Sequence, residues 1–200
     1  MTPDLPTLLT RLQAAFPDAP PEFRKNPGPS GQDSLLVPRQ SLVDVCRHLR
    51  DTPDLAFDLL TNVTGVDWPD PGKAEAVASP GEDAAAPAGG FLEVVYHLFS
   101  TSRRDGPLVL RCRTGNRTDA VEVPSVTAIY RSAEFQEREI FDLFGVVFTG
   151  HPDLRRILMW DEFTDHPMRK DYVAPDDYEY EPTPHDEVLE KARKHYPAEP

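Results

Sequence analysis

Two apolar segments separated by a short polar stretch place the strongest constraint on the fold. FLEVVYHLFS at 91–100 and LVLRCRT at 108–114 flank the residues SRRDGP. Two strand-forming segments joined by about six polar or turn-forming residues are typical of a β-hairpin. In the second segment Cys112 stands between Arg111 and Arg113 in an alternating pattern, which predicts one buried and one mostly solvated face. The chain is therefore expected to build a sheet that is at least partly antiparallel.

The segments before the hairpin predict two helices and two further strands. SLLVP and FDLLTNVTGVDW are rich in strand-forming residues, and Gly65 in the second marks a bulge or a bend. LPTLLTRLQAAF and SLVDVCRHLRD have apolar residues at helical spacing, with Ser41 as the N-cap candidate of the second helix. The turn-rich stretch 17–31 is expected to be an irregular connector.

After the hairpin, two short helices are predicted. Pro124 and Ser125 suit the start of the first helix, and SAEFQEREIFDLFG forms the second, which ends with Gly145 at its C′ position. These elements predict an α+β fold, with a mixed, partly antiparallel sheet, helices packed on one face, and an extended C-terminal tail.

The domain organisation follows from composition. We expect an N-terminal helix and connector at 1–33, an α+β core at 34–160, and an extended, acidic, proline-rich tail at 161–200. Within the core, the Pro/Gly/Ala-rich stretch 69–90 is expected to be a flexible loop, because it offers little apolar surface to bury.

Net charge and cysteine content argue against several classes of function for this chain. The net charge of −13 argues against a general nucleic-acid binder, which needs clustered Lys and Arg. Cys46 and Cys112 are the two cysteines, so this chain is not expected to hold an iron–sulfur cluster or a structural zinc ion by itself. The longest nearly apolar run, FLEVVYHLF, is too short to span a bilayer. A membrane is expected to matter only through a partner.

The stretch EREIFDLFG sets charged side chains directly against an apolar run. In a helical projection, Glu134, Arg138 and Asp142 fall on a solvated side opposite the apolar arc. Glu137 and Glu139 fall on the apolar side, where a carboxylate needs a cation or hydrogen-bond donors to stay ionised. Arginine pairs with carboxylates in bidentate geometry. The hypothesis is that Glu137 or Glu139 pairs with one of the downstream arginines, namely Arg155, Arg156 or Arg169.

The same region also permits a catalytic interpretation. Glu137, Glu139, Asp142, His151 and His166 could in principle form a hydrolytic or metal site. The sequence has no HExxH, GxSxG, P-loop or strand-linked GxGxxG motif. Both histidines precede proline, a context that suits turns at least as well as metal ligands. The architectural interpretation is therefore favoured over a free-standing carboxylate hydrolase.

Six motifs in fixed order carry a resemblance to a known family. TNVTGVDW, FLEVVYHLFS, VPSVTAIY, EREIFDLFG, GHPDLRRILM and HPMRKDY resemble the thirty-kilodalton subunit of bacterial NADH-quinone oxidoreductase, which is respiratory complex I or NDH-1. The resemblance covers roughly residues 34–173. Some relatives carry this subunit fused to one of the quinone-site subunits, whereas this chain is expected to be the separate form.

The resemblance implies a non-catalytic, peripheral-arm subunit of a proton-translocating complex. The complex passes electrons from NADH through FMN and Fe–S clusters to quinone, and these cofactors lie in other subunits, so none is expected in this chain. The implied partners are the quinone-site subunits B and D, and the implied location is the cytoplasmic side of the cell membrane, reached peripherally through the complex. The alternative is the equivalent subunit of a related membrane-bound hydrogenase or other-donor dehydrogenase.

The resemblance also implies roles for individual residues in folding and assembly. The first signature block comprises Glu137, Arg138, Glu139, Asp142, Gly145, His151, Pro152, Asp153, Arg155 and Arg156. The second block, expected to contact partner subunits, comprises His166, Pro167, Arg169, Lys170, Asp171 and Tyr172.

Overall fold

The computed structural model describes residues 4–29, 31–70 and 89–173. Most of the predicted loop 69–90 and residues 174–200 of the predicted tail lie outside these ranges. The helices are α1 (Leu5–Ala15), α2 (Leu42–Asp51) and α3 (Ala133–Phe144). The strands are β1 (Glu22–Arg24), β2 (Ser34–Leu36), β3 (Leu59–Trp68), β4 (Phe91–Ser100), β5 (Asp105–Arg113), β6 (Glu122–Pro124) and β7 (Val147–Thr149).

Five of the strands form one mixed sheet in the order β1-β2-β5-β4-β3. The predicted hairpin is confirmed as the antiparallel pair of β4 and β5, and β3 adds to its other side in antiparallel register. The β2–β5 pair is parallel. A second, small parallel pair joins β6 to β7.

The three helices cover one face of the large sheet. Cross-strand pairs on this face join Val94 to Cys112 and Tyr96 to Leu110. The buried apolar side chains of α1, α2 and α3 belong to the same cluster as these strand residues. The α+β class with helices on one face is thus confirmed. We call the opposite surface of the sheet the outer face.

Three local predictions were wrong. The stretch 17–31 is not wholly irregular, because β1 lies within it and pairs with β2. No helix starts at Pro124 and Ser125. Pro124 ends β6, and the Ser125 N–H continues the strand pairing by donating to the carbonyl of Thr149 at 2.9 Å, so the backbone stays extended where a first helical turn was expected.

Gly65 does not mark the irregularity in β3. The register shift lies between Leu60 and Asn62. Gly65 instead lies under α3, where a Cβ atom would stand 2.7 Å from Cδ2 of the Phe144 ring. The absence of a side chain therefore lets α3 pack directly on β3.

This close approach predicts the effect of Gly65→Ala. The added methyl group forces the Phe144 ring to move, and the free energy of unfolding should fall by about 1–3 kcal/mol, as measured by chemical denaturation. Thr64→Ala is the control, because Thr64 is exposed on the outer face. Adding Phe144→Leu should recover part of the loss. Equal stabilities of the Gly65 and Thr64 variants would contradict this packing.

Candidate functional site: the carboxyl end of helix α3

Asp142 organises the chain that follows α3, and residues 150–173 are here called the strap. Asp142 is fully buried, and its Oδ2 atom accepts hydrogen bonds from the N–H groups of Ile157, Leu158 and Met159 at 3.0, 2.7 and 2.8 Å. Nη1 of Arg156 donates to Oδ1 at 2.6 Å. Burial alone would raise the pKa of Asp142, but the three N–H groups and Arg156 together hold it below its usual value. An ionised carboxylate thus folds the strap around itself.

The last carbonyl groups of α3 also find their donors in the strap. A helix leaves its final C=O groups without intrahelical partners, and cations are favourable there. His166 Nδ1 donates to Asp142 O at 3.0 Å, the Met168 N–H donates to Leu143 O at 3.1 Å, and Arg169 Nε donates to Phe144 O at 2.7 Å. The second signature block is therefore fixed to the helix end by hydrogen bonds to its backbone.

Gly145 makes this docking possible for two reasons. It ends α3 in the left-handed conformation, with φ of 76°, which confirms the predicted C′ glycine. A Cβ atom at this position would also lie 2.4 Å from His166 Nε2 and 2.7 Å from an Arg169 Nη atom. A side chain here would push the second block away from the helix end.

Arg138 and His151 attach the first part of the strap to the side of α3. Arg138 is buried and donates to the carbonyl groups of Arg155 and Arg156 at 3.1 and 3.0 Å. Its Nη1 atom lies 3.9 Å from the Asp153 carboxylate. His151 Nε2 donates to Glu134 O at 2.9 Å, while its Nδ1 accepts from the Asp153 N–H at 3.0 Å. The His151 ring therefore links the backbone of α3 to the first turn of the strap.

The second block also reaches the main sheet. Asp67 at the end of β3 is buried and forms a bidentate pair with Arg117 at 2.6 and 2.7 Å. Its Oδ2 accepts the Lys170 N–H at 2.7 Å, and Arg117 also contacts Asp171 at 2.8 Å. Hydrogen bonds to Asp67 and Asp171 raise the pKa of Arg117 against the effect of burial.

Glu137 occupies a separate buried position between α3 and β6. Ser125 Oγ donates to its Oε2 at 2.6 Å, and the Val126 N–H donates to its Oε1 at 2.8 Å. Burial raises the pKa of Glu137 to about 7, although both hydrogen bonds act in the opposite direction. The carboxyl group therefore connects the helix to the turn after β6.

These contacts correct the predicted arrangement of charges on α3. The hypothesis that Glu137 or Glu139 pairs with a downstream cation was wrong, because Glu137 binds Ser125 and Val126, and Glu139 is exposed. Arg138 and Asp142 are buried and not solvated. The strap covers the side of α3 that a projection of the helix alone assigns to solvent.

The remaining signature residues are in the first turns of the strap or near its end. Pro152 is exposed, and Arg155 pairs with Asp153 at 2.9 Å on the surface. Pro167 is half-buried, and the Tyr172 ring lies 6.4 Å from the ring of Phe163. Their expected roles in assembly stay predictions.

Three residues of the site, Ser125, Asp67 and Arg117, are absent from the predicted set. Asp67 carried a signal, since it stands two positions after Gly65 on the face of β3 that packs under α3, and a buried carboxylate at such a position requires a partner. Ser125 and Arg117 lie in irregular segments, where no periodicity reports which side chains turn inward.

The geometry fits a structural role for the candidate catalytic residues. Asp142 is ionised and already bound by four donors, and both histidines donate to helix carbonyl groups. Within residues 4–29, 31–70 and 89–173, no group of three or more His, Cys, Asp or Glu side chains is placed to hold a metal ion. None of the helices in those ranges is both long and apolar enough to cross a bilayer.

Apolar side chains of α3 and the strap point outward. Phe135 is 60% exposed, Leu158 52%, Met168 55% and Val173 82%. Ile157 and Trp160 are also exposed. Large apolar side chains grouped on a surface mark interaction sites.

Most of the chain matches a known protein family. Residues 35–178 match the family described as "Respiratory-chain NADH dehydrogenase, 30 Kd subunit". The corresponding NADH-quinone oxidoreductase subunit of Roseiflexus castenholzii is 41% identical over 174 residues, which cover 86% of this chain and 85% of that protein. A corresponding NADH-quinone oxidoreductase subunit of Rhizobium etli is 39% identical over 143 residues, which cover 71% of this chain and 65% of the relative.

Two solved structures are similar in fold. The trypsin-resistant fragment (1–134) of Nqo5 superposes with a TM-score of 0.51 at 26% identity, over 75% of this chain and 98% of the fragment. A chain of the membrane-bound sulfane sulfur reductase, an archaeal respiratory membrane complex, gives a TM-score of 0.57 at 22% identity, over 96% of this chain and 90% of that chain. The second likeness concerns the fold alone.

Asp142→Asn tests whether the carboxylate holds the strap. The substitution replaces one carboxylate oxygen by an NH₂ group, which is a donor and would face either Arg156 or the three N–H groups. Because donors would then face donors, the free energy of unfolding should fall by about 3 kcal/mol. Trypsin should also cleave faster after Arg155 and Arg156. Asp153→Asn is the control, because its carboxylate lies on the surface. Unchanged cleavage of the Asp142 variant would contradict the assignment.

Glu137→Gln tests the raised pKa of Glu137 through the pH dependence of the free energy of unfolding. The pKa of Glu137 is raised from 4.5 to about 7, so the folded state binds this proton more tightly than the unfolded state does. Its contribution to stability is therefore complete below pH 4.5 and is lost as pH rises through 7. Glutamine mimics the protonated acid, so the variant should match the wild type at low pH and exceed it by about 3 kcal/mol at pH 8.

The measurement is chemical denaturation across this pH range, taken as the difference between variant and wild type so that other titrating groups cancel. Glu139→Gln, at an exposed position of the same helix, should leave the profile unchanged. A difference between wild type and Glu137→Gln that does not vary with pH would contradict the raised pKa.

Proposed function

This chain belongs to the family of the 30 kDa subunit of respiratory-chain NADH dehydrogenase, and we propose that it is a non-catalytic peripheral-arm subunit of a proton-translocating NADH-quinone oxidoreductase. In this role it shapes a docking surface next to the quinone-site subunits, while electron transfer from NADH to quinone takes place on other chains. As part of such a complex it is associated with the membrane peripherally.

The observation that carries the proposal is that, in α3 and the strap, polar groups bind inside the chain while apolar side chains face outward. The polar groups of Arg138, Asp142, His166 and Arg169 are used for hydrogen bonds inside the chain. Between them, apolar side chains such as Leu158 and Met168 are exposed. A rigid backbone that presents apolar side chains suits a permanent interface, because little conformational entropy is lost on binding.

We propose that subunits B and D cover this surface from the cytoplasmic side of the membrane. The exposed Lys170 and Asp171, next to Met168, would form the polar rim of the interface. This arrangement agrees with the general anatomy of protein interfaces, in which an apolar centre is surrounded by polar residues.

We also propose that this chain binds no FMN, Fe–S cluster or quinone itself. Support comes from the chemistry of its thiols. Cys46 and Cys112 are both buried in the apolar core, and burial raises the pKa of Cys112 to about 12 and that of Cys46 further. Metal ligation needs a thiolate, and these thiols stay protonated.

Charged substitutions on the exposed apolar surface test the docking role. Leu158→Glu and Met168→Glu should each weaken co-purification of the other subunits with a tagged copy of this chain by about tenfold or more, because a buried, unpaired charge costs several kcal/mol. NADH-to-quinone activity recovered with the tag should fall in parallel.

Leu59→Glu is the matched control, since Leu59 is similarly exposed but lies at the other end of β3 from the strap contacts. Denaturation of each free variant checks that its fold is retained. Recovery of the tagged wild-type chain alone from membranes would count against the proposed function, whereas full recovery of partners with Leu158→Glu would count only against this surface.

A further inference from the structure

The strap has two parts that are held to the rest of the chain in different ways. The first part, residues 150–163, has apolar anchors, because Leu154 packs against the core and Phe163 is buried. Backbone N–H groups of this part also bind the buried carboxylate of Asp142. In the second part, residues 164–173, every residue is exposed or half-buried. We call this second part the flap.

Hydrogen bonds hold the flap closed at two places. At the end of α3, the flap donates to three carbonyl groups through His166, the Met168 N–H and Arg169. At the sheet, the Lys170 N–H donates to Asp67. A segment that is held by hydrogen bonds and has few buried apolar contacts opens at a lower free energy than a packed core does. The flap is therefore expected to open more readily than the first part of the strap.

One arginine outside the strap fixes the sheet side of the flap. Arg117 forms bidentate contacts with two acids, with Asp67 at 2.6 and 2.7 Å and with Asp171 in the flap at 2.8 and 3.2 Å. The loop around Arg117 has its own hydrogen bonds, since Asn116 Oδ1 accepts from the N–H groups of residues 118–120. The side chain of Arg117 is thus held by the sheet and its own loop, independently of the flap.

We propose that the flap opens as one unit while the first part of the strap stays bound to α3, and that partner subunits bind only the closed flap. Opening breaks the contacts at the helix end and at Arg117 together, because both belong to one short segment. Closure fixes Met168 and Lys170 within the surface proposed above for docking. The apparent affinity for a partner is then reduced in proportion to the fraction of closed chains. The docking role rests on the proposed function, whereas the opening of the flap is a property of the free chain.

Amide hydrogen exchange of the full-length chain, followed by NMR, tests the opening. The N–H groups of Met168 and Lys170 bind different elements, namely the end of α3 and Asp67 at the end of β3. Opening of the flap as one unit should give both N–H groups the same protection factor. The N–H groups of residues 157–159, which bind Asp142, should be protected at least tenfold more strongly.

Asp171→Asn tests whether the two sides of the flap open together. The substitution removes the charge that pairs with Arg117, so the protection factor of the Lys170 N–H should fall by about two- to fivefold, the range for an exposed ion pair. The protection factor of the Met168 N–H should fall by the same factor, although it binds α3 and not the sheet. Asp161→Asn is the matched control, because it removes one exposed carboxylate from the first part and should leave both values unchanged.

The same exchange measurement on the complex tests the docking role. The complex is purified through a tagged copy of this chain, and exchange is read by mass spectrometry on a peptide that covers residues 164–173. Exchange of this peptide should be at least tenfold slower in the complex than in the free chain. Failure to recover any partner subunit would count against the proposed function and the docking role, but not against the opening of the flap.

Three outcomes would overturn this inference. The first is equal protection of the Met168, Lys170 and 157–159 N–H groups in the free chain, which indicates that the strap opens as a whole. The second is an effect of Asp171→Asn on the Lys170 N–H alone, which indicates that the contacts of the flap break one by one. The third is a recovered complex in which the flap exchanges as fast as in the free chain, which indicates that partners bind without its closure.

Discussion

The carbonyl groups at the end of α3 need hydrogen-bond donors, and the rest of the site is arranged to supply them. The helix ends against its own chain and not in water, so the side chains of His166 and Arg169 and the backbone of Met168 take the place of solvent. Asp142 contributes hydrogen bonds in the opposite direction, since its carboxylate accepts them from backbone N–H groups of the same strap. The strap therefore donates hydrogen bonds both to the carbonyl groups at the helix end and to a carboxylate of the helix.

Four buried acids of this protein replace their lost hydration with different sets of hydrogen-bond donors. Asp142 is surrounded by backbone donors and an arginine, Asp67 by Arg117 and a backbone N–H, and Glu93 by two arginines and an indole. Glu137 has neutral donors only, and burial raises its pKa, whereas backbone N–H groups and Arg156 hold the pKa of Asp142 below its usual value. The hydrogen bonds of these four acids are made within the chain, so the acids hold its shape.

Local sequence patterns predicted the features that depend on residues close together in the sequence. The hairpin of β4 and β5, the helix ending at Gly145 and the burial of Glu137 follow from alternation, turn residues and helical spacing. The burial of Arg138 and Asp142 did not follow, because a helical projection assumes one covered side and the strap supplies a second. The extended backbone at Ser125 depends on pairing with Thr149, a contact between distant residues that no local pattern reports. The family signature named residues around the end of α3, but it did not state which charges pair.

The strap is held by side-chain and helix-end hydrogen bonds, whereas the sheet is held by its own strand pairing and core. These two parts can open separately, since elements with few buried apolar contacts open at lower free energy than a core does. A chain with its strap released would still be folded by most spectroscopic criteria, yet it would no longer present Leu158 and Met168 in a fixed arrangement. The fraction of chains that present this surface is then set by this local equilibrium and not by the global stability of the fold.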